Sequence, residues 1–264
     1  MKSIVKHWRR IAVTLIPVLL ALLHAVGVVR IGVLQRLDDI IYDARLQATM
    51  PKTLDDRVVI IDIDEKSLAD LGRWPWSRNK LADLVNTLFQ DQEIAILGFD
   101  VVFAEADESS GLARLSQLAR NELKDYPAFS DRLKQLQPDL DFDAAFAAAL
   151  ANRPVVMGYY LSSDKEGRSN GVLPAPVLRP DALQGRQIRA TSWTGYGANI
   201  EQLAKAAPMA GFFNSITDSD GVVRSLPLLA EYRGEYYESI ALSMFRVIAG
   251  MPSVAPGFSN ERFL

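Results

Sequence analysis

The chain has 264 residues, 49% of them hydrophobic and 23% charged, with a formal net charge of −3, no cysteine, and two histidines, His7 and His24. Beyond residue 24 there is neither thiol nor imidazole, which excludes a thiolate nucleophile, a Ser-His-Asp triad, a histidine base and a Cys/His zinc, copper or haem site from that part. Disulfides are impossible, and near-balanced charge leaves no footprint for nucleic acid.

Residues 11 to 29 form a run of 19 without a formal charge, IAVTLIPVLLALLHAVGVV. As a helix it would be about 28 Å long, close to the hydrocarbon thickness of a bilayer. Lys2, Lys6, Arg9 and Arg10 precede it without any acidic residue. That excess keeps the amino terminus cytoplasmic and exports the remainder. The alternative is a cleaved signal peptide, but its apolar region is shorter and ends in small residues; here bulky Val28, Val29 and Ile31 follow. The expected organisation is a cytoplasmic tail over 1–10, a transmembrane helix over 11–29 and an exported domain over 30–264.

Apolar residues at Leu37, Ile40, Ile41 and Leu46 predict that Gln35 to Met50 is helical and continues the membrane helix, with Pro51 as the stop. Arg57 to Ile63 (RVVIIDI) predicts a buried strand. Ser77 suits the N-cap of a helix over Arg78 to Phe89, and Glu93 to Phe103 (EIAILGFDVVF) predicts a second strand. Strand, helix and strand at this spacing make a parallel βαβ unit. The fold class is therefore α/β, a mixed sheet containing that unit, flanked by helices and preceded by the membrane helix. Further on, Gly111 to Gln137 and Phe142 to Asn152 predict helix, and Pro154 to Leu161 a third strand. Residues 162 to 200 form a long excursion, which is either functional or poorly ordered. Pro208 to Asn214, Val222 to Tyr232 and a final strand-to-helix segment over Tyr236 to Ala249 complete the pattern.

Four groups are candidates for chemistry. Asp62 and Asp64 share one side of the first strand, and Asp100 ends the second, at the carboxyl edge where ligands of α/β sheets sit. Three carboxylates there can hold Mg²⁺ or Ca²⁺, act as a phosphohydrolase with Asp62 as nucleophile and Asp64 as acid/base, or simply cap turns. In GRWPWSR, Trp74 and Trp76 offer an aromatic platform, and Arg73 or Arg78 an anion contact near a helix N-terminus; the alternative is a loop covering the sheet edge. DSDGVVR, Asp218 to Arg224, lacks the ligands of a calcium loop and reads as a turn. The basic residues Lys165, Arg168, Arg179, Arg186 and Arg189 of the excursion read as a solvated loop, with an anionic ligand or lipid headgroups as the alternative.

An ordered series of segments resembles the CHASE2 family of extracellular sensory domains. It comprises LDDIIYDARLQ (Leu37 to Gln47), VVIIDIDEKSLADLGRWPWSR (Val58 to Arg78), ILGFDVVFAEAD (Ile96 to Asp107), DAAFAAALANRPVVMGYY (Asp143 to Tyr160), AGFFNSITDSDGVVRSLPLL (Ala210 to Leu229) and SIALSMFRVIAG (Ser239 to Gly250). The resemblance implies the input module of a bacterial receptor in the inner membrane, with its sensory domain periplasmic or extracellular. It also implies a homodimer, an unidentified small-molecule or protein stimulus, and a cytoplasmic output such as a nucleotide cyclase, diguanylate cyclase or kinase, which this chain does not contain. No catalysis, cofactor or resident metal is expected, and no ligand site carries over from the family. A purely structural dimerisation domain is the further alternative.

Overall fold

The computed structural model describes residues 2–29, 31–186 and 188–257; of the side chains of residues 2–9 and 11 nothing is described. The basic side chains expected to orient the amino terminus therefore lie outside the described residues, apart from Arg10. The chain divides into two compact units, Met1–Asp62 and Ile63–Leu264.

The first unit holds helices α1 (Lys2–Ala25) and α2 (Gly32–Thr49). Among the described residues no helix is long and apolar enough to cross a membrane. Helix α1 stops at Ala25, short of the expected 29, because Val26 to Val29 close hydrogen-bonded turns onto Leu22, Leu23 and His24. The second helix is present as predicted, but it does not continue the first. His24 ties the two together: its Nδ1 accepts the Ile31 N–H at 3.2 Å, and its Nε2 lies 3.4 Å from Asp38.

The predicted strand at Arg57 to Ile63 does not form. The segment is irregular, and Val59 and Ile60 are 80% and 87% exposed. β-Branched residues favour a pleated surface only where backbone groups find a partner strand and side chains find a face. Without this strand the expected βαβ unit is absent.

The second unit builds its parallel pairing elsewhere. Helix α3 (Glu65–Leu71) and helix α4 (Arg78–Gln90) precede the short strand β1 (Leu97–Phe99). Helices α5 (Leu112–Arg120), α6 (Pro127–Leu140) and α7 (Phe142–Leu150) then cross over to strand β2 (Val155–Ser162). The predicted charged helix is thus two helices, with Pro127 opening the second, where its missing N–H costs nothing. Strand β1 pairs parallel with Val155–Met157, so the sheet contains a βαβ-type crossover with three helices in place of one.

The excursion returns to the sheet. It contributes β3 (Ser169–Asn170), a 3₁₀ turn at Pro180–Leu183, β4 (Thr191–Trp193) and β5 (Gly195–Gly197). After α8 (Glu201–Ala206), strand β6 (Ala210–Phe212) lies parallel to Met157–Tyr159. Strand β5 runs antiparallel to the end of β2, which makes the sheet mixed as expected. Strand β2 is buried from Val155 to Tyr159 without alternation, because it is covered on both faces. Gly158 is required there: a Cβ would fall 2.3 Å from the Phe99 carbonyl.

The Asp218–Arg224 segment is a turn. It joins β7 (Ile216–Thr217) to β8 (Val223–Ser225), and Arg224 pairs with both Asp218 and Asp220. The Arg224 hydrogen bond, with the Val222 N–H, lowers the Asp220 carboxyl to about 2. Strands β9 (Leu229–Tyr232) and β10 (Glu235–Glu238) form a hairpin through Arg233 and Gly234, both at positive φ, and β4 completes this second sheet. Helix α9 (Ile240–Ile248) follows, capped by Ser239.

Two apolar clusters fill the second unit. The larger joins α4, α7 and α8 to the sheet through Leu81, Val85, Phe146, Leu150, Met157 and Leu203. Phe99, Phe103 and Phe146 meet edge to face with centroids 5.3–5.8 Å apart. The smaller cluster, around Tyr159, Phe212 and Tyr232, lies between the two sheets.

Candidate functional site

Past β1 the chain leaves the sheet and runs over the N-terminus of α4. Asn199, 3% exposed, fixes this stretch: its Oδ1 accepts the Phe103 N–H at 2.8 Å and its Nδ2 donates to the Gly158 carbonyl at 2.9 Å. Asn170 donates to the Ala104 carbonyl. Two residues of the excursion thus hold the floor of a cleft of about 400 Å³, open to solvent, between residues 74–78 and 101–109.

Of the residues predicted for a site, Trp74, Trp76 and Arg78 come together here. The Trp74–Pro75 peptide is cis, and the two indoles meet edge to face at 5.6 Å. The Trp76 Nε1 donates to the Gly72 carbonyl at 2.8 Å, which buries that ring under the loop and leaves Trp74 half-exposed at the opening.

Ser77 occupies the N-cap position of α4, but its side chain makes no capping bond. The cap comes from Asp107, whose Oδ2 accepts the Arg78 N–H at 2.6 Å across 29 residues, while its Oδ1 accepts the Ser109 N–H. Arg78 itself is 9% exposed. Its guanidinium lies over the Phe103 ring at 4.3 Å, donates through Nη2 to the Glu105 carbonyl, and places Nε 3.5 Å from Asp143. Asp143, on the first turn of α7, accepts the Asp107 N–H at 2.8 Å and closes the network.

Burial lowers the Arg78 guanidinium from its ordinary value, against the pull of the Asp143 and Asp107 charges. It raises Asp143, whose hydrogen bond from Asp107 and attraction to Arg78 do not fully offset it. Burial also works to raise Asp107, but the hydrogen bonds from Ser109 and Arg78, with the Arg78 charge, hold it below its ordinary value.

The divalent-ion alternative for Asp62, Asp64 and Asp100 finds no support: among the described residues no group of three or more carboxylate or imidazole side chains could hold a metal ion. Asp64 is the N-cap of α3, accepting the Ser67 N–H at 2.8 Å and the Ser67 hydroxyl at 2.6 Å. The Ser67 hydroxyl, then its N–H, lowers the Asp64 carboxyl. Asp62 is exposed at the end of the first unit, and Asp100 is exposed just beyond β1. This is the turn-capping alternative for Asp64. Asp64→Ala is expected to lower the urea midpoint of the second unit, as the loss of a helix cap does, measurable by urea titration.

Sequence reasoning missed Asp107 and Asp143. They stand at the end of ILGFDVVFAEAD and the start of DAAFAAALAN, 36 residues apart, and only the fold makes them neighbours.

A mixed α/β domain with a loop-built cleft and no metal cluster among its described residues is the frame into which the family comparison fits. The chain matches the CHASE2 domain over residues 15–257 and belongs to that family of extracellular sensory domains. No curated protein and no solved structure matches it.

Proposed function

We propose that the chain is the membrane-anchored, exported input domain of a transmembrane receptor, and that its stimulus binds in the cleft of Trp74, Trp76 and Arg78. The observation carrying the first half is membership of a sensory family over nearly the whole chain. Supporting the anchor are the uncharged run over residues 11–29, the basic residues before it, and α1 side chains such as Val13, Leu19 and Leu22 that are 71%, 57% and 58% exposed. Apolar side chains left exposed on a helix call for lipid or other helices around them. The cleft is favoured because the half-exposed Trp74 and charged side chains converge there on a pinned backbone, the usual make-up of a small-molecule site.

The receptor works as a homodimer, and its output is a cytoplasmic nucleotide cyclase or kinase. A stimulus acts only as far as it binds two arrangements of the domain with different affinities. A bacterial alkaline phosphatase fused after the chain is expected to be active and to stay with the membrane after carbonate washing. A phosphatase that is inactive while a fluorescent protein at the same place is bright would overturn export, and release of the washed protein would overturn the anchor.

A further inference from the structure

We propose that the cleft binds a small organic ammonium ion; this rests on the reading of the cleft as the stimulus site. An anion is the ligand first suggested by Arg78 at a helix N-terminus, but both attractions are already used inside the chain. The Asp107 carboxylate accepts the Arg78 N–H, and the guanidinium is divided between Phe103, the Glu105 carbonyl and Asp143. An incoming anion would have to displace Asp107 and would meet two further carboxylates.

Those carboxylates are Glu105 and Glu108, which line the cleft with exposed side chains. Their carbonyls accept from Arg78 and Gly111, but neither carboxylate has a hydrogen-bond or ion-pair partner among the described residues. Trp74 lines the same opening, held against Trp76. An indole face attracts a cation and free carboxylates accept its N–H groups, so their convergence selects a charged amine. Val101 and Ala104 line the remainder and give an alkyl body an apolar wall. The volume of about 400 Å³ lies within the range of small-molecule sites. A bare divalent ion fits less well, since no group of three carboxylates gathers among the described residues.

The test titrates the full chain in detergent micelles with n-butylammonium, tetramethylammonium, butyrate and inorganic phosphate, following tryptophan fluorescence and melting temperature. Butylammonium is expected to give a saturable fluorescence change and a raised melting temperature, with tetramethylammonium weaker because it has no N–H. Glu105→Gln with Glu108→Gln should weaken butylammonium at least tenfold, and Trp74→Leu should remove most of the fluorescence response. Glu105 and Glu108 are exposed and Trp74 packs only at the margin of the core, so the variants should fold. Saturation by butyrate or phosphate instead, sensitive to Trp74→Leu, would overturn the ammonium ligand and leave the cleft as the stimulus site. No saturation by any probe, or saturation unchanged in both variants, would overturn both.

Discussion

Asp143→Ala is expected to destabilise the second unit by about 3 kcal/mol, the lower end of the cost of removing one partner from a buried ion pair. The lower end applies because the Asp107 carboxylate and the Glu105 carbonyl still face Arg78. The substitution also strips the Asp107 N–H of its acceptor. For a unit of this size the melting temperature should fall by about 6–12 °C. Asp143→Asn keeps an oxygen for the Asp107 N–H and should lose clearly less.

The pH dependence separates the two carboxyls. Asp143 is raised in the folded state, so the part of its stability that comes from its protonated form is fully present below the unfolded value of about 3.9 and is lost as pH rises through the folded value. Asp107 is lowered, so its contribution is present above about 3.9 and is lost as pH falls through its folded value. Asp143→Asn removes only the first. The stability advantage of the parent chain over this variant should therefore be largest near pH 4 and narrow towards neutrality, as read from melting curves across that range.

Phe146→Ala is expected to cost about 3–5 kcal/mol, the range for deleting a buried phenyl ring. Its ring is fully buried and meets Phe99 and Phe103 edge to face, so it joins α7 to β1 and to the first residues of the cleft floor. Phe146→Leu should cost no more than about half as much, because it keeps most of the volume. Guanidinium titration of both variants checks the order. Phe146→Ala should also weaken any ligand of the cleft, since Phe103 lies between the Phe146 ring and the Arg78 guanidinium.

Local pattern was enough to foresee some of these elements. The apolar face of Leu81, Val85 and Leu88 predicts α4 within a residue, because those side chains are the ones buried. The continuous apolar run at Val155 predicts β2 for the same reason. Asp-Gly and Arg-Gly mark the two turns because Gly221 and Gly234 both adopt positive φ. Where pattern misled, the reason was non-local. Val58 to Ile61 have strand-forming side chains, but a strand also needs a neighbour. Ser77 has the right chemistry for a cap, yet Asp107 supplies it from another loop. In the site, Trp74, Trp76 and Arg78 were legible because they are adjacent in sequence. Their partners Asp107 and Asp143 depend on a crossover of three helices, whose path no spacing rule specifies.

Arg78 shows the consequence for function. Its sequence position suggests an anion contact, whereas its surroundings neutralise it within the chain.

The most direct test of the cleft as the stimulus site is amide hydrogen exchange on the full chain in micelles, with and without saturating n-butylammonium. The account predicts slowed exchange confined to residues 76–80 and 103–109, the two stretches joined by Arg78 and Asp107. Unchanged exchange there, or protection only around the β7–β8 hairpin or α9, would contradict it.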